Sequence, residues 1–122
     1  MNETYSLADY ISQYEECVKH SMYDMLDFVL DLPQARPQSE HDSRLILLKS
    51  IANSMTLLER TRPEILNPSR CRRIARGSGT PWTLQGKLLE EFFQARSCHE
   101  KMSEMSIREK IKLIEERFGP RY

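Results

Sequence analysis

The sequence predicts an all-α fold: a small multi-helix domain with a helix-turn-helix-like arrangement in its second half. Three observations carry this. Apolar residues recur at steps of three and four over long stretches, the period of a helix with one buried face. A Ser or Thr followed three residues later by Glu precedes two of these stretches, the pattern of a helix-opening capping box. Charged residues make up 30% and aromatics 8% of the chain, a balance that suits a helical domain better than a disordered tail or a β-sandwich.

From Ser6 to about Leu32 the periodic positions are Leu7, Tyr10, Ile11, Tyr14, Val18, Met22, Met25, Leu26, Val29 and Leu30, with Ser6 as N-cap. The pattern thins near His20 and Ser21, so the stretch is one long helix or two shorter ones, closed by Pro33. Asp24, Asp27 and Asp31 fall close to one face, leaving the apolar residues on the other. Residues 33–42, PQARPQSEHD, hold two prolines among polar residues without periodicity and predict an exposed loop.

A second helix begins near Ser43 and carries Leu45, Leu47, Leu48, Ile51, Ala52 and Met55. Thr56 with Glu59 opens a further short turn, ended by Pro63. Ser69 leads into a short helix bearing Arg70, Arg72, Arg73 and Arg76, with Gly77 where a left-handed C-cap is wanted. Thr80 and Pro81 supply the N-cap and first residue of an amphipathic helix through Leu84, Leu88, Leu89, Phe92 and Phe93 to about Met102. Ser106 with Glu109 opens a last helix through Ile107, Ile111, Leu113, Ile114 and Phe118, stopping at Gly119-Pro120. At 122 residues the chain has room for one core, so it reads as a single domain over 1–122. Its parts are an N-terminal helical segment (1–32), a loop (33–42), a helical core (43–105) and a C-terminal helix (106–122).

The formal charge is zero, but it is unevenly spread. Residues 1–56 hold four Lys/Arg against nine Asp/Glu, and residues 57–122 hold fourteen against nine. Screening limits the reach of a surface charge to about 8 Å at physiological salt, so a local cationic patch acts independently of the neutral total. Cys17, Cys71 and Cys98 are odd in number and form no CxxC pair, giving neither a metal spacing nor a disulfide framework. No apolar stretch approaches a membrane span and no leader pattern opens the chain, so no stable membrane insertion is expected and a reducing, cytoplasmic setting is. His20, His41 and His99 stand apart and read as surface residues; no nucleophile motif or phosphate loop is present. The sequence therefore predicts a binding module with no catalytic residues, no metal and no cofactor.

The chemistry concentrates between Glu59 and Arg76, where six arginines stand against two glutamates. On a helix Arg70, Arg73 and Gly77 share one face, so two guanidinium forks and a bare backbone point the same way. Arginine can bond a phosphate bidentately or a base edge directly, and glycine permits close approach of a sugar-phosphate chain. The residues alone leave three readings open: a nucleic-acid surface, a solvated face with scattered ion pairs, and a helix-turn-helix reader of duplex DNA. Arginines turned inward onto carboxylates would count against the first.

The run NSMTLLERTRPEILNPSRCRRIARGSGT, Asn53 to Thr80, resembles the signature of the M domain of the signal recognition particle's protein subunit. That pattern combines Met-Thr, Glu-Arg and Pro-Glu-Ile with Ser-Arg-x-Arg-Arg-Ile-Ala-x-Gly-x-Gly. The following LLEEFFQARSCHEKM is similar to the family's next helix, and YSLADYISQYEECVK, more loosely, to its opening helix. The resemblance implies an M-domain fold without the GTPase part, co-translational protein targeting, and the particle's RNA as partner. It implies RNA contacts by Ser69, Arg70, Arg73 and Gly77, with Arg72, Glu59 and Ser78 as further candidates.

The family's second activity is holding signal sequences in an apolar, methionine-lined groove, since methionine adapts to many partners. The corresponding candidates here are Met22, Met25, Leu26, Val29, Leu30, Met55, Phe92, Phe93 and Met102. Phe92 and Phe93 diverge by about 100° on a helix, so they cannot both face one core centre. The sequence departs from the family in two places. HSMYDMLDFVLDLPQARPQ stands where the Met- and Gly-rich finger loop is usual, and Trp82, Gln85 and Gly86 break the pattern after the turn. A reading of another class is a freestanding helical adaptor that binds a partner helix or its own copy.

Overall fold

The computed structural model describes residues 5–119, which hold helices and connections and no strand. In chain order the helices are α1 (Leu7–Lys19), α2 (Tyr23–Val29), α3 (Gln38–Asn53), α4 (Leu57–Thr61), α5 (Pro68–Ser78), α6 (Trp82–Ser103) and α7 (Ile107–Phe118), with a 3-10 turn at Pro63–Ile65.

Capping boxes set three of the helix starts. Ser6, Thr56 and Ser106 each accept from the backbone N–H three residues on, and Asp9, Glu59 and Glu109 reach back to the cap. The N-terminal periodic segment is two helices. Its break falls at the predicted weak point, where Ser21 takes a left-handed φ of 55° and the Met22 N–H donates to the Cys17 carbonyl at 2.7 Å. A second left-handed residue, Asp31 with φ 53°, closes α2 before Pro33 is reached.

The loop expected at 33–42 is shorter than that: α3 starts at Gln38 behind Pro37. Polar residues hid its first turn, because periodicity reports only apolar contacts. Two boundaries near the arginine helix also move. Asn67 caps α5, accepting from the Arg70 N–H at 2.9 Å, and Pro81 occupies the cap position of α6 that Thr80 was expected to hold. The left-handed C-cap of α5 is Gly79, with φ 69°, and Gly77 lies inside the helix. Pro120, expected to follow the last helix, lies outside the described residues.

Helix α1 is the central element, packing against α2, α3, α4 and α6, while α5 lies against α3 and α6. Its Leu7, Tyr10 and Tyr14 enter a core completed by Leu48, Ile51, Met55, Ile74, Leu88 and Phe92. Beneath α2 lies a buried polar chain. The Tyr14 hydroxyl is 2.6 Å from His41 Nδ1, and His41 Nε2 is 2.9 Å from Asp27 Oδ1. With the imidazole neutral, Nε2–H donates to the Asp27 carboxylate and Nδ1 accepts from Tyr14, so every buried partner is satisfied. His41 is thus no surface residue, and Asp27 faces inward, unlike Asp24 and Asp31. Alongside, Arg36 donates both terminal nitrogens to Glu91 at 3.1 and 2.8 Å, and Arg44 adds a bond to the same carboxylate at 3.2 Å.

Candidate nucleic-acid interface and apolar groove

The arginine surface is built on one buried carboxylate. Glu59 is completely buried, its position fixed by the capping box that opens α4: its Oε1 accepts from the Thr56 N–H at 2.8 Å. From α5, Arg70 Nη1 donates to Glu59 Oε2 at 3.0 Å, and Arg73 Nη2 donates to Glu59 Oε1. Burial alone would raise the Glu59 carboxyl. The Thr56 N–H and the two guanidiniums outweigh it and hold the group below the usual carboxylate range. Glu59 therefore reaches a ligand only through the arginines and presents no oxygen to solvent.

Arg70 and Arg73 do turn onto a carboxylate, the arrangement named above as adverse. The pairing is incomplete. Their side chains stay 37% and 49% exposed, two positive charges face one negative, and each guanidinium spends one of its five N–H donors on Glu59. Arg72 and Arg76 are exposed and have no ion-pair partner among the described residues, and Pro68–Ser78 contains no acidic residue. Ser69 is exposed in the first turn of α5, and Ser78 is half-buried at its end. The helix thus brings Arg70 and Arg73 together on Glu59, with Arg72 and Arg76 exposed along the same helix.

Gly77 is used differently from the sequence expectation. A Cβ there would stand 2.9 Å from the Ser54 hydroxyl, so its missing side chain lets α5 approach the end of α3. Cys71, flanked by arginines, is not activated: burial pushes its thiol up, and the Glu59 charge adds to the effect.

The second feature is an apolar groove of about 470 Å³ between α1 and α2. Of the groove candidates, Met22, Met25, Leu26 and Val29 line it. Leu30, Met55 and Phe92 do not; they are core residues. Phe93 is half-buried under Arg96, whose guanidinium lies 4.9 Å from the ring centre, and Met102 sits at the far end of α6, half-buried and away from this groove. The lining that sequence reasoning missed comes from α1: Tyr10, Tyr14 and Cys17. Their helical spacing with the apolar stripe was visible, but core and groove positions share that signal. The Tyr10 hydroxyl has no hydrogen-bond partner among the described residues.

Among the described residues no cluster of His, Cys, Asp or Glu could hold a metal ion, and no helix is long and apolar enough to cross a membrane.

Comparison with known proteins places this architecture. The family model described as "Signal peptide binding domain" matches residues 1–116. A signal recognition particle protein of Haemophilus influenzae is 40% identical over 96 residues, covering 74% of this chain and 20% of the relative. The corresponding proteins of Aquifex aeolicus and Escherichia coli are 42% identical over 72 residues and 30% over 102, covering 55% and 80% of this chain and 16% and 22% of theirs. The chain thus spans about a fifth of the length of these relatives. No solved structure is a significant match. Because the match runs from the first residue into the last turns of α7, the helical unit built around α1 is the family's own module, and the chain belongs to the signal peptide binding domain family.

Proposed function

We propose that the chain binds the RNA of a signal recognition particle through α5 and holds hydrophobic segments of exported proteins in the groove between α1 and α2. The observation that carries the first half is the pair of guanidiniums set side by side on a buried carboxylate. Such a pair is preorganised, so little side-chain entropy is lost when a phosphate or a base edge engages the remaining donors. Shape-reading of RNA relies on polar contacts to 2′-hydroxyls and phosphates, which an exposed cationic helix with Ser69 at its start can supply. Glu59 acts in this reading as a positioning residue, and Gly77 as the site that seats α5.

The test is the affinity for a labelled hairpin of the particle RNA. Replacing Arg70 and Arg73 together by Ala removes two direct contacts, each worth about 1–3 kcal/mol, so the dissociation constant rises by roughly thirtyfold or more. An unchanged constant would remove the assignment.

A second reading, a helical adaptor for a partner helix or another copy of the chain, is favoured by the exposed isoleucines of α7, Ile107 and Ile111. Light scattering separates the two: a stable dimer without RNA affinity supports the adaptor.

A further inference from the structure

Trp82 opens α6 with 50% of its surface exposed. It is the single tryptophan of the chain and has no ring partner among the described residues. An indole left in water at the start of a helix forfeits a large apolar burial. One turn further along the same face stands Gly86. A Cβ at Gly86 would meet nothing within 4 Å, so packing does not require a glycine there, although glycine weakens a helix interior relative to alanine. The two residues together leave a flat aromatic surface with no side chain beside it at the i+4 position.

The junction that carries this surface is tightly held. Gly79, left-handed, donates its N–H to the Ala75 carbonyl at 2.9 Å. The Thr80 N–H donates to the Ser78 hydroxyl at 3.2 Å. Gln85 Nε2 donates to the Cys71 carbonyl at 3.2 Å, fastening the first turn of α6 to α5. Cations stand on both helices that meet at this turn: Arg72, next in the chain to Cys71, and Arg76 are exposed on α5, Lys87 is exposed beside Gly86, and the first turn of α6 has no acidic residue. A flat apolar face on a helix start without acidic residues, joined by a tight turn to a cationic helix, is complementary to a nucleobase on a phosphate chain.

We propose that Trp82, with Gly86 left bare beside it, is a stacking platform for an unpaired base of the RNA held by α5. This rests on the RNA-binding reading above and extends that surface across the α5–α6 turn. Splayed bases gain affinity by stacking on an aromatic plane, and neighbouring guanidiniums strengthen the contact.

Trp82 can report the contact itself, because it alone supplies tryptophan emission. The full chain is titrated with a particle RNA hairpin whose internal loop presents unpaired bases, and with the same hairpin closed into continuous duplex. The open hairpin quenches the emission; the closed one does so weakly. Trp82→Ala weakens binding of the open hairpin by roughly tenfold, and Trp82→Phe recovers most of that loss. Gly86→Leu, which favours the helix but covers the ring, weakens binding and reduces quenching. Full wild-type affinity in Trp82→Ala, with unquenched emission in the wild type, overturns the platform and leaves the arginine surface standing. No affinity of the wild type for either RNA overturns both, and quenching by an added protein segment instead of RNA assigns the ring to a protein contact and overturns the platform.

Discussion

Gly77 and Ser54 touch across the α5–α3 junction at a distance no side chain on Gly77 could share: a Cβ would come within 2.9 Å of the Ser54 hydroxyl and 3.2 Å of its Cβ. Gly77→Ala should therefore fail to deliver the gain of about 1 kcal/mol that alanine brings to a helix interior. The gain should return in the Ser54→Gly background. A double-mutant cycle in urea would measure the coupling, and additivity would show that the junction yields freely.

The buried Glu59 makes stability depend on acidity in a definite sense. Its folded pKa lies below the usual carboxylate range, so the stabilisation is fully present above the unfolded value near 4.3 and is lost as pH falls through the folded value. The stability difference between wild type and Glu59→Gln should shrink steadily on acidification below about pH 4. Denaturation midpoints at several pH values would show this; a constant difference would mean the carboxylate is not ionised in the fold. The same substitution should loosen Arg70 and Arg73 and weaken RNA binding at neutral pH.

Tyr14→Phe deletes one hydroxyl and leaves His41 Nδ1 buried without its partner. The expected loss is about 1–3 kcal/mol, since an unsatisfied buried polar group bears its full desolvation penalty. Urea unfolding measures it, and a loss below a few tenths would show that water replaces the hydroxyl.

Groove and core positions should respond differently to the same charge. Met25→Asp lies in the groove lining and should abolish capture of a hydrophobic peptide while the chain still folds. Met55→Asp places an unpaired charge in the core and should unfold it. Circular dichroism with a peptide-binding assay distinguishes the two outcomes.

These cases show what the residues disclosed and what they did not. Ser6, Thr56 and Ser106 announced their helices because a cap is local chemistry, written within four residues. Gly77 and Gly79 carry the same local chemistry, yet Gly79 is the left-handed cap and the reason for a glycine at 77 lies at Ser54, a residue more than twenty positions away. Leu30, Met55 and Phe92 share their sequence signal with Met22 and Met25, because hydrophobicity is common to a core and a groove. His41 looked like a loop residue because its partners, Tyr14 and Asp27, meet it only after α1, α2 and α3 assemble. The arginine cluster was legible as a cluster, but its anchoring on Glu59 was not, since the capping box had already explained that glutamate.

From helix α7, Arg117 Nη2 donates to the Leu32 carbonyl at 2.9 Å, and the helix presents Ile107 and Ile111 to solvent. As the exposed final helix it should exchange its amides with deuterium early, and a protease should nick its entry at Met105–Ser106. A trimmed chain ending there would keep α1 through α6, and with them both the cationic face and the methionine-lined cleft.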